Sequence, residues 1–527
     1  MKKHKTLSIL AILLFALTVT LSACSGDRNP GESHATNETQ QGPSTGQTTN
    51  GGEIVVGIAQ DLDASFDPHQ MVAAGTAGTR EVFFNVFEGL VRPNPEGDLI
   101  PAVAESFSVD GTVYTFVLRE GVQFHNGDFV TVEDVVYSIN RSADPERTTT
   151  FQAAFSVITR VEAIDQRTVE IEIAEIDHEF LAFLTTAIIP EGYENQATQP
   201  IGTGPFRFVS HSPQEALVLE RFDDHWSGGA YLERVTFRIF GSGEALNLAL
   251  STGTIDLAGH LTQDMTRALP ADFYYMRGAM NLVQALWLNN AVYPLDNPQV
   301  REAIAFAVDL RQIMGILADG YGHPIGSGVH PGLARYFHEG LVGWFDSEDH
   351  VHAQNAARDR LYWAGFPDGF DLTITVPSNY TPHVITAEII AEQLRAVGIN
   401  VRIDLVEWAF WVSEVNQGRN FEATVIGIAA RDLTARSMLE RWVSDNSRNF
   451  INFNSPAYDA VFAQAQSTHD PEEQVELYRR LQEILVDEVA SVFLQDLNNF
   501  VAIRNTLAGF TFYPIYVIDL STIHFVN

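Results

Sequence analysis

The three lysines of this chain, Lys2, Lys3 and Lys5, and its one cysteine, Cys24, all lie within the first 24 of 527 residues. Everything after Cys24 must therefore fold without a disulfide, a thiolate metal ligand or an amine nucleophile. Its stability has to come from buried apolar surface. The chain supplies that surface, with 45% hydrophobic and 11% aromatic residues, in a length that suits roughly three domains of about 150 residues. The same absence excludes chemistry: a Walker-type phosphate loop needs its lysine, a Schiff-base or pyridoxal enzyme needs an amine, and a cysteine nucleophile or cysteine-rich zinc site needs thiols. Charge excludes more. With 67 acids against 32 Lys+Arg, the formal charge of −35 has the wrong sign for neutralising phosphates, so no nucleic-acid partner is expected.

Residues 1–23 combine a basic head, an apolar run of 15 residues from Leu7 to Leu21, and a small-residue exit at Ser22-Ala23, which is the composition of an export signal. The run is shorter than the roughly 20 residues of a permanent membrane helix. Leu21-Ser22-Ala23-Cys24 resembles the lipobox of bacterial lipoproteins, which implies cleavage before Cys24 and lipid on its thiol and amino group. Residues 25–52 are polar and turn-forming with Ala35 as the only aliphatic side chain, too poor in apolar surface to fold. A flexible 28-residue tether spans about 30 Å on average. The mature chain keeps 29 arginines against 67 acids, or −38, and would be repelled by anionic lipid heads. Lipid is then the expected membrane attachment.

After the tether, Glu53–Ala59 reads as a buried strand and Thr79–Leu90 has helical apolar spacing. Short alternating runs follow, Tyr114–Leu118 and Thr168–Ile173, with Asp110-Gly111 and Asn126-Gly127 as turn signals. From Asn297-Pro298, a plausible N-cap and first helical residue, an amphipathic segment runs through Leu317. Ala353–Ala364, Val384–Val397 and Gln474–Val486 have helical period, while Leu372–Val376, Asn400–Val406 and Thr424–Ile428 are strand-like. This alternation predicts a second α/β lobe. The aromatic run Phe510-Thr511-Phe512-Tyr513 would be costly to expose and should pack back on the first lobe.

Several ordered segments resemble the family-5 extracellular solute-binding proteins of peptide- and nickel-type ABC importers. They are Asp67-Pro68-His69, Phe87-Glu88-Gly89-Leu90, Pro101–Phe107, Tyr114–Gly127, Thr131–Ser138, Pro200–Phe206 and Asn297–Ala303. The resemblance implies an α/β, bilobal, periplasmic-binding-protein-like fold with a hinge between lobes and a β-rich insert in the first. It implies lobe I from 53–87, 200–285 and 495–527, the insert from 88–199, and lobe II from 286–494. It further implies an extracytoplasmic, lipid-anchored monomer that captures a small solute or peptide, delivers it to ABC permease subunits, and needs no cofactor or metal.

By the same resemblance two places touch ligand. Glu407-Trp408-Ala409-Phe410-Trp411 matches the segment that brings an aromatic residue to the cleft, with Trp408 at the matching position; packing is the competing role for Trp408 and Trp411. In peptide-binding members an aspartate four residues after a strand glycine pairs with the peptide amine. Counting from Gly427 reaches Arg431, with Asp432 one place later, and a one-residue slip in extended chain reverses a side chain's face. Arg431 in the cleft favours an anionic group; Asp432 favours an amine. A receptor for a metal chelate or anionic molecule is the alternative within the family, and a carboxylate-dependent hydrolase the alternative outside it, although no His-Glu-x-x-His or Gly-x-Gly-x-x-Gly occurs and Gly-x-Ser-x-Gly falls only at Gly42–Gly46, inside the polar 25–52 segment rather than between a strand and a helix. His350-x-His352 is expected in a solvated loop.

Overall fold

The computed structural model describes residues 38–39, 48–59, 62–70, 77–147, 149, 152–342, 349–430 and 432–526. Cys24 and Arg431 lie outside them.

Glu53–Ile58 lies parallel between Arg234–Ile239 and Leu257–Leu261. Ile54, Val56 and Ile58 are buried and Val55 is half-buried, as suits a strand in the interior of a sheet. Around it forms an eight-stranded sheet that includes Phe206–Ser212, Ala216–Arg221, Phe273–Ala279 and Asn498–Arg504. A six-stranded sheet runs from His323–Pro324 through Ser491–Asp496, Leu282–Leu288, Ala423–Ala429 and Asp371–Pro377 to Asn400–Val406. The Thr381–Ala396 helix covers it with Ile390 and Leu394, both fully buried. Truncating Leu394 to alanine would cost about 2–5 kcal/mol. A separate four-stranded antiparallel sheet orders Ala104–Asp110, Val113–Leu118, Thr168–Ile173 and Ile158–Ala163, with its own apolar core around Phe116, Phe155 and Phe180. The fold is thus mixed α/β with two lobes and a β-rich insert.

The chain passes between the two large sheets at adjacent places. Phe273–Ala279 leads into Leu282–Leu288, and Ser491–Asp496 into Asn498–Arg504; Ala279 pairs with Asn498 and Gln284 with Gln495. Met280 N–H donates to the Leu497 carbonyl at 2.9 Å. Asn281, with φ 58°, donates its side chain to the Tyr513 carbonyl at 2.7 Å.

Most elements form as their patterns predict, and the exceptions have local causes. The segment after Asn297 is two helices, Pro298–Ala307 and Leu310–Ala318, because Val308 is extended and Asp309 caps the second helix by accepting Gln312 N–H at 3.0 Å. The first helix ends at Phe83, since the Asn85 side chain donates to the Val82 carbonyl at 3.0 Å and Ile518 at 2.8 Å. His350 and His352 begin the His350–Trp363 helix, with Asp349 as N-cap, so the expected loop is corrected to a helix. Two apart on a helix, they point to different faces and cannot share an ion. Phe510 joins the core that contains Val56 and Phe83, where the aromatic tail was expected.

Candidate functional site

Two cavities open between the lobes. The larger, about 1080 Å³, has one wall from Leu62, Asp63 and Phe240 beside the eight-stranded sheet and the other from Asn379, Thr381 and Trp408 beside the six-stranded sheet. The smaller, about 170 Å³, is lined by Arg80, Phe83, Phe87, Glu88 and Val517 on one side and by Asp432 and Leu433 on the other. Trp408 and Asp432 therefore face different inter-lobe spaces.

Trp408 follows the Asn400–Val406 strand at the start of a helical segment. Its ring stacks on Trp411 at 5.2 Å and 10° and meets Tyr380 edge-on at 5.4 Å. The inner tryptophan is buried, with its N–H donated to Thr424 Oγ1 at 3.0 Å. Trp411 is thus a fixed floor, and Trp408 is held over it with a partly open face toward the larger cavity.

Asp432 follows the Ala423–Ala429 strand, whose end is pinned where Gly427 N–H donates to His383 Nε2 at 3.1 Å. Burial depresses His383 to about 3, so the ring is neutral and able to accept. Asp432 Oδ1 accepts from Thr434 N–H at 3.2 Å and from Thr434 Oγ1 at 2.5 Å. The latter hydroxyl in turn accepts Ser437 N–H at 3.1 Å. The carboxylate is therefore oriented by the start of the Ala435–Leu439 helix while lining the smaller cavity.

A further cluster has no signature in the sequence pattern. His260 Nε2 and Glu81 Oε1 are 2.8 Å apart, and the His260 ring stacks on Tyr516 at 4.6 Å and 5°. Burial, with the Glu81 charge, raises the Tyr516 and Tyr380 phenols above their ordinary range. His260 has φ 59°, at the pairing irregularity between Ala258 and Leu261. A β-bulge re-aims a side chain in this way, and its register depends on the Asn498–Arg504 strand, about 240 residues away in sequence.

The segments behind the family resemblance serve mainly to join the insert to the first lobe. Arg141 donates to Asp67 Oδ1 at 3.0 Å and His69 Nδ1 at 2.9 Å, and His69 Nε2 donates to the Ala187 carbonyl at 2.8 Å. Glu88 accepts from Trp226 Nε1 at 2.9 Å and Thr203 Oγ1 at 3.2 Å. Gly202 and Gly204 press on this joint, since a Cβ would sit 2.1 Å from the Val86 carbonyl oxygen at Gly202 and 2.5 Å from that of Asn85 at Gly204. Among the described residues no group of three His, Cys, Asp or Glu side chains is placed to hold a metal ion, and no helix is long and apolar enough to cross a membrane.

Two α/β lobes joined by paired crossovers, with lined cavities between them, define a hinged solute-binding protein. The profile of the bacterial extracellular solute-binding proteins, family 5, matches residues 98–450. The chain belongs to that family, whose members are extracytoplasmic binding proteins of ABC importers. It is similar to the glutathione-binding protein GsiB of Escherichia coli strain K12, 25% identical over 493 residues, 87% of this chain and 93% of that one. The structure resembles the periplasmic binding protein DppA of Helicobacter pylori in complex with the peptide STSA, with a TM-score of 0.80 at 24% identity, over 91% of this chain and 99% of that one. It also resembles NikZ of Campylobacter jejuni in complex with Ni(L-His), with a TM-score of 0.79 at 20% identity, over 90% and 99% of the two chains.

Proposed function

We propose that this chain is a lipid-tethered receptor that captures a short peptide or peptide-like solute between its lobes and hands it, unaltered, to ABC permease subunits. The observation that carries this reading is the pair of inter-lobe cavities, one presenting the Trp408 ring and the other the oriented Asp432 carboxylate. A carboxylate suits a ligand ammonium, and a rigid indole suits the planar and apolar parts of a peptide. The named ligands of the similar proteins, glutathione and STSA, are peptides. Likeness to NikZ with Ni(L-His) supports the second reading, capture of a chelate that brings its own metal ligands.

Cys24 is proposed as the lipidated residue after removal of 1–23, with 24–52 as tether, paired to strands of the body at Glu38–Thr39 and Thr48–Thr49, and a monomeric body. Lobe I is proposed as 53–87, 200–285 and 495–527, the insert as 88–199, and lobe II as 286–494; sheet membership supports crossovers near these limits, at 280–281 and 497. The test is mass spectrometry of what co-purifies with the chain, followed by calorimetry with that compound and with its amine-acetylated form. Peptide recovered intact at one per chain, with binding lost on acetylation, supports the reading. Product released in excess of protein would establish a hydrolase instead.

A further inference from the structure

Away from the crossovers, the insert touches the second lobe through two carboxyl groups, one half-buried and one buried. Asp177 and Glu179 lie between the Thr168–Ile173 strand and the Phe180–Phe183 helix of the insert. They meet the Ala435–Leu439 and Pro471–Asp487 helices. Arg436 Nη1 donates to Asp177 Oδ2 at 2.8 Å, and the Arg436 backbone N–H to Glu179 Oε1 at 3.3 Å. The Tyr478 hydroxyl donates to Glu179 Oε2 and accepts from Gln466 Nε2 at 2.9 Å. Glu179 and Tyr478 are both buried.

The charge count of this contact is uneven. Among the described residues it holds two carboxyl groups and one guanidinium, and Asp177 already has the guanidinium. Among the described residues the other titratable groups facing Glu179 are the phenols of Tyr478 and Tyr336, which burial keeps neutral. An ionised Glu179 would be a second negative charge in a dry site whose cation is committed, whereas in an open molecule water would solvate it.

We propose that Glu179 is a proton-linked latch on lobe closure: its carboxyl group is buried under Tyr478 and Arg436 as the lobes shut, and takes up a proton from solvent as it does so. The inference rests on the receptor reading only for what the latch regulates. Arg436 follows Thr434, the N-cap that Asp432 orients at the smaller cavity, so ligand site and latch share one turn of chain. Burial pushes Glu179 up to about 7, against about 4.3 for an exposed glutamate. Between those values the closed state holds one more proton than the open state, so closure strengthens as pH falls, by at most about tenfold per pH unit.

The test uses the full chain with Cys24→Ser, which removes the native thiol, and spin labels at Glu175→Cys and Gln464→Cys, exposed positions flanking the contact. Label distances are measured without ligand from pH 5 to 8.5. The short-distance population should grow as pH falls through about 7. Glu179→Gln, neutral at every pH, should hold it constant. Tyr478→Phe, which removes a donor to the charged form, should move the step to higher pH. The same step in Glu179→Gln, no step in the parent, or no short distance at any pH would overturn the latch. Calorimetry of the same protein with a defined mixture of di- and tripeptides decides peptide capture separately, because the distance readout contains no ligand.

Discussion

The Asp496 carboxyl group accepts the Leu282 backbone N–H at 3.1 Å and that of Asn281 at 3.2 Å, bridging the two strands where they pass between the lobes. One buried side chain on the returning strand thus fixes the outgoing strand where a hinge must bend. Burial pushes Asp496 up to about 8 in spite of these bonds. A carboxyl group with a raised folded value stays protonated in the fold after the unfolded chain has lost its proton. Its contribution is therefore full below about pH 4 and is lost as pH rises to about 8. Asp496→Asn should reduce the fall in stability across that window, where one such group contributes a slope of at most about 1.4 kcal/mol per pH unit. It should also cost about 1–3 kcal/mol for an amide left without its acceptor. Urea denaturation at several pH values checks both; an unchanged slope would remove Asp496 as the source.

Asp67→Ala should destabilise the fold by about 3–5 kcal/mol, because it strands Arg141 as a buried, unpaired cation. Burial alone would raise the Asp67 carboxyl value, but hydrogen bonding and charge from Arg141 outweigh it and hold it below the ordinary range. A depressed value means that the contribution is present above the unfolded value of about 3.9 and is lost as pH falls through the folded one. The variant should therefore lose less stability on acidification than the parent. Chemical denaturation at pH 7 and near pH 3 measures the difference, and equal losses would show that the pair does not govern acid sensitivity.

Trp408→Ala should weaken peptide binding by about 2 kcal/mol, roughly thirtyfold, if the ring is a central contact. Trp408→Phe, which keeps a stack on Trp411, should retain most of it. Calorimetry paired with thermal melting separates the roles: loss of melting temperature with intact affinity would assign Trp408 to packing against Trp411 and Tyr380.

Cys24→Ala should release the chain from membranes while leaving its melting temperature unchanged, since a lone thiol at position 24 has anchoring as its proposed role. Fractionation after a high-salt wash checks this. A variant that stays with the membrane would refute lipidation at Cys24 as the attachment.

Strands and helices with strong periodicity were legible from sequence because burial of one face is a local demand. Asn400–Val406 and Thr168–Ile173 form over their predicted spans, and Asn297 caps its helix as its residue type prefers. Local side-chain bonding was less legible. Asn85 and Asp309 interrupt segments whose apolar spacing continues past them, and spacing alone cannot say when a polar side chain captures the backbone.

Sequence by itself determined the family, the β-rich insert and a thiol-free, lysine-free body, because these depend on residue identity and order. Tertiary structure decided which residues far apart in the chain meet. Glu81, His260 and Tyr516 are brought together by a bulge set against a distant strand. Glu179 lies 299 positions from Tyr478. Such pairs lack a common period or spacing; what joins them is the path of two strands crossing between two sheets, and only the folded chain specifies that path.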